Sequence, residues 1–428
     1  MSDKDYPEIE QYSPHLMEWG IINEKNYTNI YEIPVKRWDP LSTVSIKTKE
    51  FGLQEKERYY GHYSYISPIR AKRPSGFRET TPKRSELEKE LEKEHVIKDV
   101  FLGVTEGEPV FDGEGRQIGD GFTLIITEDE MRRDNPFSDT PHRIQPLPEK
   151  CKAVTLINRY PSMVRIIEPR IKDQIMKELP KGSKLAHGIN LVTISRNFYP
   201  ALDFESIPEE ILHGIFLSMK VAIIYAVEEA INRDYYDIIV TPFFNIGNLV
   251  GGSQPRIHSQ VYIDLTGDGH GSRFESHLKA FKEMDNKCHL CTSQHGEGNY
   301  SRMVLETKYW IYFMTGSPIR NYHLRFHPKE HIRRFSQLNT NQLRDLAKSL
   351  KMVFKSLDDL NIDKNRNIIF NCCPYGYDAD FHMFGDIIPH EIIGGAEMAD
   401  DMRVARKLPE ENAKELRNSI VKFYNLND

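Results

Sequence analysis

The sequence predicts an α+β fold built from two halves of like order, and three features carry that reading. The chain has 428 residues, more than one compact core accommodates, so two domains or two repeats are expected. Two long segments have the apolar period of packed helices. Around each of them the same order recurs: strand-like runs, a helix, a strand, a loop and an alternating strand containing histidine.

The first helix is expected over about 207–233. Ser206 and Glu209 have capping-box spacing, Pro208 stands in the first turn, and Ile211, Leu212, Ile215, Met219, Ala222, Ile223 and Ala226 keep helical period. The strand run Asp237–Phe244 follows, then a Gly-rich loop, then Arg256-Ile257-His258-Ser259-Gln260-Val261-Tyr262. In the second half, strand-like runs at 302–306, 309–313 and 322–327 precede a helix at about 340–357. Asn339 and Gln342 again have capping-box spacing. The strand Asn367–Cys372 and the run Phe381-His382-Met383-Phe384-Gly385-Asp386 complete the pattern. Earlier in the chain, 121–127 and 151–157 alternate as strands, and the densely charged 84–97 reads as a solvated helix. Segment 265–287 connects the halves. The expected division is 1–35 as an N-terminal extension, 36–285 as the first repeat and 286–428 as the second.

Hydrophobic residues make up 39% of the chain, which excludes disorder as the default. A net charge of −6 argues against non-specific nucleic-acid binding. The most apolar stretch, 214–227, is short for a membrane span and contains Lys220. The N-terminus is polar and acidic, unlike a secretory signal. Five cysteines do not make a disulfide framework, and Cys288-His289-Leu290-Cys291 has metal-ligand spacing suited to a reducing compartment. A cytoplasmic protein with no membrane or nucleic-acid partner is expected.

Residues 243–262 read FFNIGNLVGGSQPRIHSQVY. Gly247, Gly251 and Gly252 permit tight turns and close approach of backbone N–H groups to a phosphate. Ser253 adds a hydroxyl. Alternation along the strand puts Arg256, His258 and Gln260 on one side. An imidazole beside phosphate donors is suited to displace a leaving group from phosphorus.

This stretch resembles the active-site segment of galactose-1-phosphate uridylyltransferases, the nucleotidyltransferase branch of the histidine-triad superfamily. Asn245, Gly247, Gly251, Ser253, Pro255, His258 and Gln260 match its Asn-x-Gly, Gly-x-Ser-Asn-Pro-like and His-Pro-His-Gly-Gln pattern without a gap. Residues 67–83 resemble its Ser-Pro-His-Arg-Ala-Lys-Arg-Pro segment, and Asn158-Arg159-Tyr160-Pro161 its nucleotide-binding turn. Residues 393–398 and 408–411 resemble its C-terminal end, so the likeness runs in order over roughly 35–417.

The resemblance implies two histidine-triad-like repeats, each an antiparallel sheet with a packed long helix. It implies that His258 is the nucleophile and that Gln260 holds the phosphoryl oxygen through a ping-pong transfer. Asn158, Asn245, Gly251, Ser253, Ser259, Arg70, Arg73 and Glu397 would bind substrate. The implied partners are a nucleotide sugar with a sugar 1-phosphate or phosphate as acceptor, in a homodimer. A nucleotide-sugar or dinucleoside polyphosphate phosphorylase would use the same histidine. A nucleotide-binding protein without catalysis is the reading from another class. A histidine-triad hydrolase is disfavoured by Gln260.

Family members commonly hold structural zinc in the first repeat. Here Phe198 and Arg256 stand where two of its histidine ligands would be, so no zinc is expected there. Arg256 would contact phosphate or make a structural ion pair. The second repeat has Cys288, Cys291, His331 and His382, a set that suits closed tetrahedral Zn²⁺. His289, His295, His323 and His327 are rival ligands. Phe384 and Asp386 occupy the places matching His258 and Gln260, so the second repeat should not carry a nucleotidyl group. Glu391 and Ala396 replace residues that contact hexose in the family. Cys372 and Cys373 are expected in the core.

Overall fold

The computed structural model describes residues 21–22, 24, 30–48, 56–68, 101, 152–158, 160–266, 288–292, 295–377, 380–395, 398 and 405–424, with backbone alone given at Ile21, Tyr31, 37–48, 56–65 and His289. The expected strand 121–127 and charged helix 84–97 lie outside them.

In chain order the strands are β1 (Ile21–Ile22), β2 (Val35–Thr48), β3 (Lys56–Ile66), β4 (Ala153–Ile157), β5 (Ile166–Ile167), β6 (Ser183–Leu185), β7 (Gly188–Ser195), β8 (Ile239–Ile246) and β9 (His258–Asp264). They continue as β10 (Met303–Glu306), β11 (Trp310–Met314), β12 (Leu324–Pro328), β13 (Arg366–Asn371) and β14 (Phe384–Pro389). The helices are α1 (Pro169–Glu178), α2 (Glu209–Ile231), α3 (His289–Thr292), α4 (Thr340–Asp359) and α5 (Pro409–Tyr424).

Nine strands form one antiparallel sheet in the order β10-β11-β12-β14-β13-β8-β9-β7-β4. The two expected sheets are therefore joined edge to edge, through pairing of β8 with β13. This pairing removes two exposed edges, each a row of unpaired backbone groups. A three-stranded sheet, β3-β2-β6, lies beside it. The buried pair Lys36 Nζ–Asp264 Oδ2, at 3.1 Å, ties β2 to the end of β9.

The register carries an approximate two-fold relation. Phe243 pairs with Gln260 in the first half, and Ile369 pairs with Asp386 in the second. Phe243 and Ile369 also pair with each other at the central seam. A residue opposite its own counterpart marks the position of a two-fold axis. His258 and Phe384 open β9 and β14 at corresponding places.

Alternation gives the sheet two different faces. Val240, Phe244, Ile246, Val261, Ile263, Ile368 and Phe370 face the helices and join one continuous core. Ring contacts cross the seam: Phe216 of α2 lies 5.8 Å from Phe244 and 6.3 Å from Phe370, and Phe335 lies 5.0 Å from Phe370. The opposite face carries Asn245, His258, Gln260, Asn367 and Asp386.

Helix α2 is long and apolar enough, by length and composition, to span a bilayer, which extends the shorter stretch read from sequence. Its apolar residues are instead spent on the sheet, and 78% of its most apolar window is buried. Lys220 is buried within it and donates from Nζ to Leu338 O at 2.6 Å, which offsets the cost of burial. The expected capping box at Ser206 does not form. Ser206 Oγ donates to Asp203 O inside a preceding 3₁₀ turn, and Pro208 occupies the cap position. The box at α4 does form, with Asn339 and Gln342 bonded reciprocally at 2.9 and 2.8 Å.

Gly385 pairs with Phe326 across β12 and β14, and a Cβ there would stand 2.0 Å from the Phe326 ring. Gly385→Ala should therefore destabilise the protein by about 1–3 kcal/mol through overpacking, read as a lower denaturation midpoint with an unchanged m-value.

Candidate functional site

The open face around β9 gathers the residues singled out in the first half. The loop between β8 and β9 begins at Gly247, at φ 91°, and reaches Gly251 in the left-handed region at φ 89°. Gly252 closes it by donating from N to Gly247 O at 2.9 Å. A Cβ on Gly252 would meet Asn245 O at 2.6 Å and Gly247 O at 2.7 Å, so only glycine lets the loop fold this tightly. Ser253 leaves the loop buried, and the chain then enters β9.

His258 is 4% exposed. Its Nδ1 lies 2.8 Å from Arg256 O. A carbonyl only accepts, so Nδ1 carries the hydrogen, and in the neutral ring Nε2 holds the lone pair. This is the tautomer a nitrogen nucleophile needs. Gln260 stands two residues on, facing the same way. Its Oε1 is buried without a hydrogen bond among the described residues.

Asn245 lies on β8, one strand away on this face. Its Oδ1 accepts from Asn367 Nδ2 at 2.8 Å, which fixes the amide and turns Asn245 Nδ2 toward the loop, 3.4 Å from Gly251 O. Asn367 also donates to Val250 O at 3.2 Å, and Asn365 Oδ1 accepts from Leu249 N at 3.2 Å. Two asparagines of the second half thus hold the Gly-rich loop of the first. The sequence gives no local sign of this, because it depends on β8 pairing with β13.

Asn158 follows β4 on the same face. Its Oδ1 accepts from Tyr160 N at 2.9 Å, closing the expected turn. Ser67, which opens the basic Ser-Pro-Ile-Arg segment, donates from Oγ to Pro161 O at 2.8 Å and so places that segment's start at this turn. Arg70, Arg73 and Glu397 lie outside the described residues. Phe101, not singled out from sequence, sets its ring 6.0 Å from His258.

Ser259 is a correction. Alternation sends its side chain to the helix-facing side, where it pairs with Thr193, itself bonded to Thr155 at 2.8 Å. Its side chain is fully buried there, so it does not share the site with His258. Arg256 reaches the backbone that follows β7. Its buried Nη1 donates to the carbonyls of Ser195 and Arg196 at 3.2 and 3.3 Å. The guanidinium lies 5.9 Å from the centre of the Phe198 ring. The two residues that replace expected metal ligands therefore meet each other.

In the second half the corresponding pair is His331 and His382, with ring centres 4.7 Å apart. Cys288, Cys291, His331 and His382 bring one ligand atom each to within 4.8 Å of one another. Cys288 Sγ lies 3.3 Å from His382 Nδ1, and Cys291 Sγ lies 3.4 Å from both His331 Nδ1 and His382 Nδ1. These separations suit the edges of a tetrahedron around one ion. The far nitrogens are held as well: His382 Nε2 by Pro328 O at 2.9 Å and His331 Nε2 by Asp380 at 2.9 Å. Such contacts orient imidazoles as metal ligands. Without a metal, burial followed by the neighbouring His327 and His331 pushes His382 down to about 3, which keeps it neutral for coordination.

The rivals are otherwise engaged. His295 stacks on Phe313 at 3.8 Å, His323 Nε2 bonds Asp386 at 3.0 Å, and His327 bonds Pro328 O at 2.8 Å. The side chain of His289 lies outside the described residues. Cys372 and Cys373 are buried, as expected. Glu391 is tied to Asn321, accepting from its N at 3.0 Å and its Nδ2 at 2.7 Å.

No family model matches the chain. A curated relative, the galactose-1-phosphate uridylyltransferase of Thermotoga maritima, is 25% identical over 220 residues, which are 50% of this chain and 64% of the relative. The chain thus matches a little under two thirds of that relative's length. The likeness to galactose-1-phosphate uridylyltransferases read from the motifs is borne out. The α+β fold is shared with a solved uridylyltransferase at TM-score 0.53 and 19% identity, covering 64% of this chain and 87% of that one. It is shared with an ADP-glucose phosphorylase from Arabidopsis thaliana, solved with ADP-glucose, at TM-score 0.50 and 20% identity, covering 62% and 82%.

Burial alone would raise the Asp386 carboxyl, but Arg325 and His323 beside it hold it well below the usual carboxylate range. Such a group stabilises the fold above its unfolded value near 4 and loses that contribution as pH falls through its folded value. Asp386→Asn should lower Tm at neutral pH and flatten the fall in stability below about pH 4, measured by denaturation across pH 2–7.

Proposed function

We propose that the protein is a nucleotidyltransferase that works through a covalent nucleotidyl intermediate on His258. The observation that carries this reading is the contact of His258 Nδ1 with Arg256 O, which in the neutral ring leaves Nε2 as the nucleophilic nitrogen, on the face shared by Gln260, Asn245 and the Gly-rich loop. The curated relative supports nucleotidyl transfer as the reaction class.

In the proposed reaction, Nε2 attacks the α-phosphorus of a nucleotide donor. A P–N bond forms as the P–O bond to the leaving phosphate breaks. That phosphate departs as an anion and needs no proton. An oxygen of a second phosphate then attacks phosphorus, and the P–N bond breaks. The Gly-rich loop, Asn245 and Ser253 hold the non-bridging oxygens, and Gln260 accompanies the transferred group without moving a proton. Asn158 holds the nucleoside.

The acceptor is a sugar 1-phosphate or phosphate. Glu391, at a place that contacts hexose in the resembling family, is consumed by Asn321 here, and this favours an acceptor without hexose contacts at that point. A nucleotide-sugar phosphorylase is therefore the second reading. Incubation with radiolabelled nucleotide sugars should label the wild type and leave His258→Ala unlabelled. Labelling of that variant to the same extent would defeat the assignment.

The Cys288, Cys291, His331 and His382 tetrad is proposed to hold structural Zn²⁺, which would tie α3 to β14 without leaving a position for water. Elemental analysis should find about one zinc per chain, with Cys288→Ser largely depleted. Chelation should lower Tm and leave the His258 face able to bind nucleotide.

A further inference from the structure

The second half contains a cavity of about 220 Å³ on the same face as His258, lined by Arg302, Arg325, His295, Phe313, Thr315 and Ser317 among others. Its floor repeats the Asn158 turn through the two-fold relation. Thr315 follows β11 as Asn158 follows β4. Ser317 N donates to Thr315 Oγ1 at 3.1 Å, as Tyr160 N donates to Asn158 Oδ1 at 2.9 Å. Thr315 N donates to His323 O at 3.2 Å, as Asn158 N donates to Asn190 O at 2.7 Å. Ile319 N donates to the His323 ring at 3.4 Å, as Ser162 N donates to the Asn190 side chain at 2.5 Å. A turn built four ways alike has kept its shape while its surroundings changed.

What changed is the chemistry. Val192 stands opposite Gln260 in the first half, whereas Arg325 stands opposite Asp386 in the second. Arg325 donates to Asp386 from Nε at 2.8 Å and from Nη2 at 3.4 Å, and its guanidinium lies 4.4 Å from the centre of the Phe384 ring. Asn371 Nδ2 also donates to Asp386, at 3.2 Å. The guanidinium is thus locked along one edge, and Nη1 makes no hydrogen bond among the described residues. Arg302 donates from Nη1 to Met314 O at 3.1 Å, and its Nε lies 3.9 Å from Glu410, while Nη2 makes no hydrogen bond among the described residues. Two oriented guanidiniums with donors to spare, beside a small cavity, suit the tetrahedral oxygens of a phosphoryl group. His295 stacked on Phe313 supplies a flat wall.

We propose that this cavity binds a phosphoryl group without reacting with it, because Phe384 stands where the first half has its nucleophile. The inference rests on the cavity and the two-fold relation and does not require His258 to be active. Asp386 is a positioning residue in it, acting through Arg325.

Crystals of the full chain soaked in tungstate, a phosphoryl mimic, would test it by anomalous scattering. A peak between Arg302 and Arg325 is expected, absent in Arg302→Gln, with any peak at the 247–253 loop unaffected. Competition by inorganic phosphate and by glucose 1-phosphate distinguishes a free ion from an ester as the natural source. In equilibrium dialysis, Arg302→Gln should weaken binding at this site by about tenfold or more. No peak in the cavity at saturating tungstate, or a peak that touches neither guanidinium, would overturn the proposal. Should Arg302→Gln fail to fold, the wild-type peak and its contacts decide the question.

Discussion

The pairing of β8 with β13 is the constraint on which the rest of the molecule depends. It joins a four-stranded and a five-stranded unit into one sheet, aligns their core-facing rings into one apolar layer, and sets a residue of each half opposite its counterpart. Its consequences are chemical as well as mechanical. Asn367 reaches Asn245 only because their strands are adjacent, and Asn365 reaches the Gly-rich loop for the same reason. The loop before His258 is therefore held from the far side of the seam.

Once the two halves are superposed in this way, equivalent positions show divergent solutions to the same structural problem. The stretches entering β9 and β14 are each anchored to the segment that follows a neighbouring strand in the sheet, β7 in the first half and β12 in the second. In the first half Arg256 does so through two carbonyls and the Phe198 ring. In the second half His382 and His331 converge with two cysteines in a geometry suited to a metal ion. A guanidinium has five donors and needs only acceptors nearby, whereas a metal needs several ligand atoms brought to one point. The paired thiols of α3 meet that need in the second half.

The open face shows a similar exchange. Where the first half sets His258 and Gln260, the second sets Phe384 and Asp386, and the carboxylate recruits Arg325, His323 and Asn371. A buried carboxylate is tolerated because it is surrounded by donors. The replacement turns a face suited to phosphorus chemistry into a charged network with an adjoining cavity.

Much of this was legible in the chain itself, because it rests on local periodicity and local spacing. Apolar period gave both long helices, strand alternation gave the shared side of His258 and Gln260, and spacing gave the Cys-x-x-Cys pair, while the choice of His331 and His382 came from the family resemblance. Local capping rules succeeded at Asn339, where nothing competes for the side chain, and failed at Ser206, where a 3₁₀ turn captures the hydroxyl. Ser259 was misplaced because adjacency in sequence means opposite faces in a strand. Arg256, Asn367 and the second cavity depended on strands and halves coming together, and such long-range pairings leave no trace in the spacing of neighbouring residues. The sequence alone determined which side chains could do the chemistry; the tertiary structure decided which of them meet, since hydrogen bonds and ligand sets act over a few ångströms of space and not over positions along a chain.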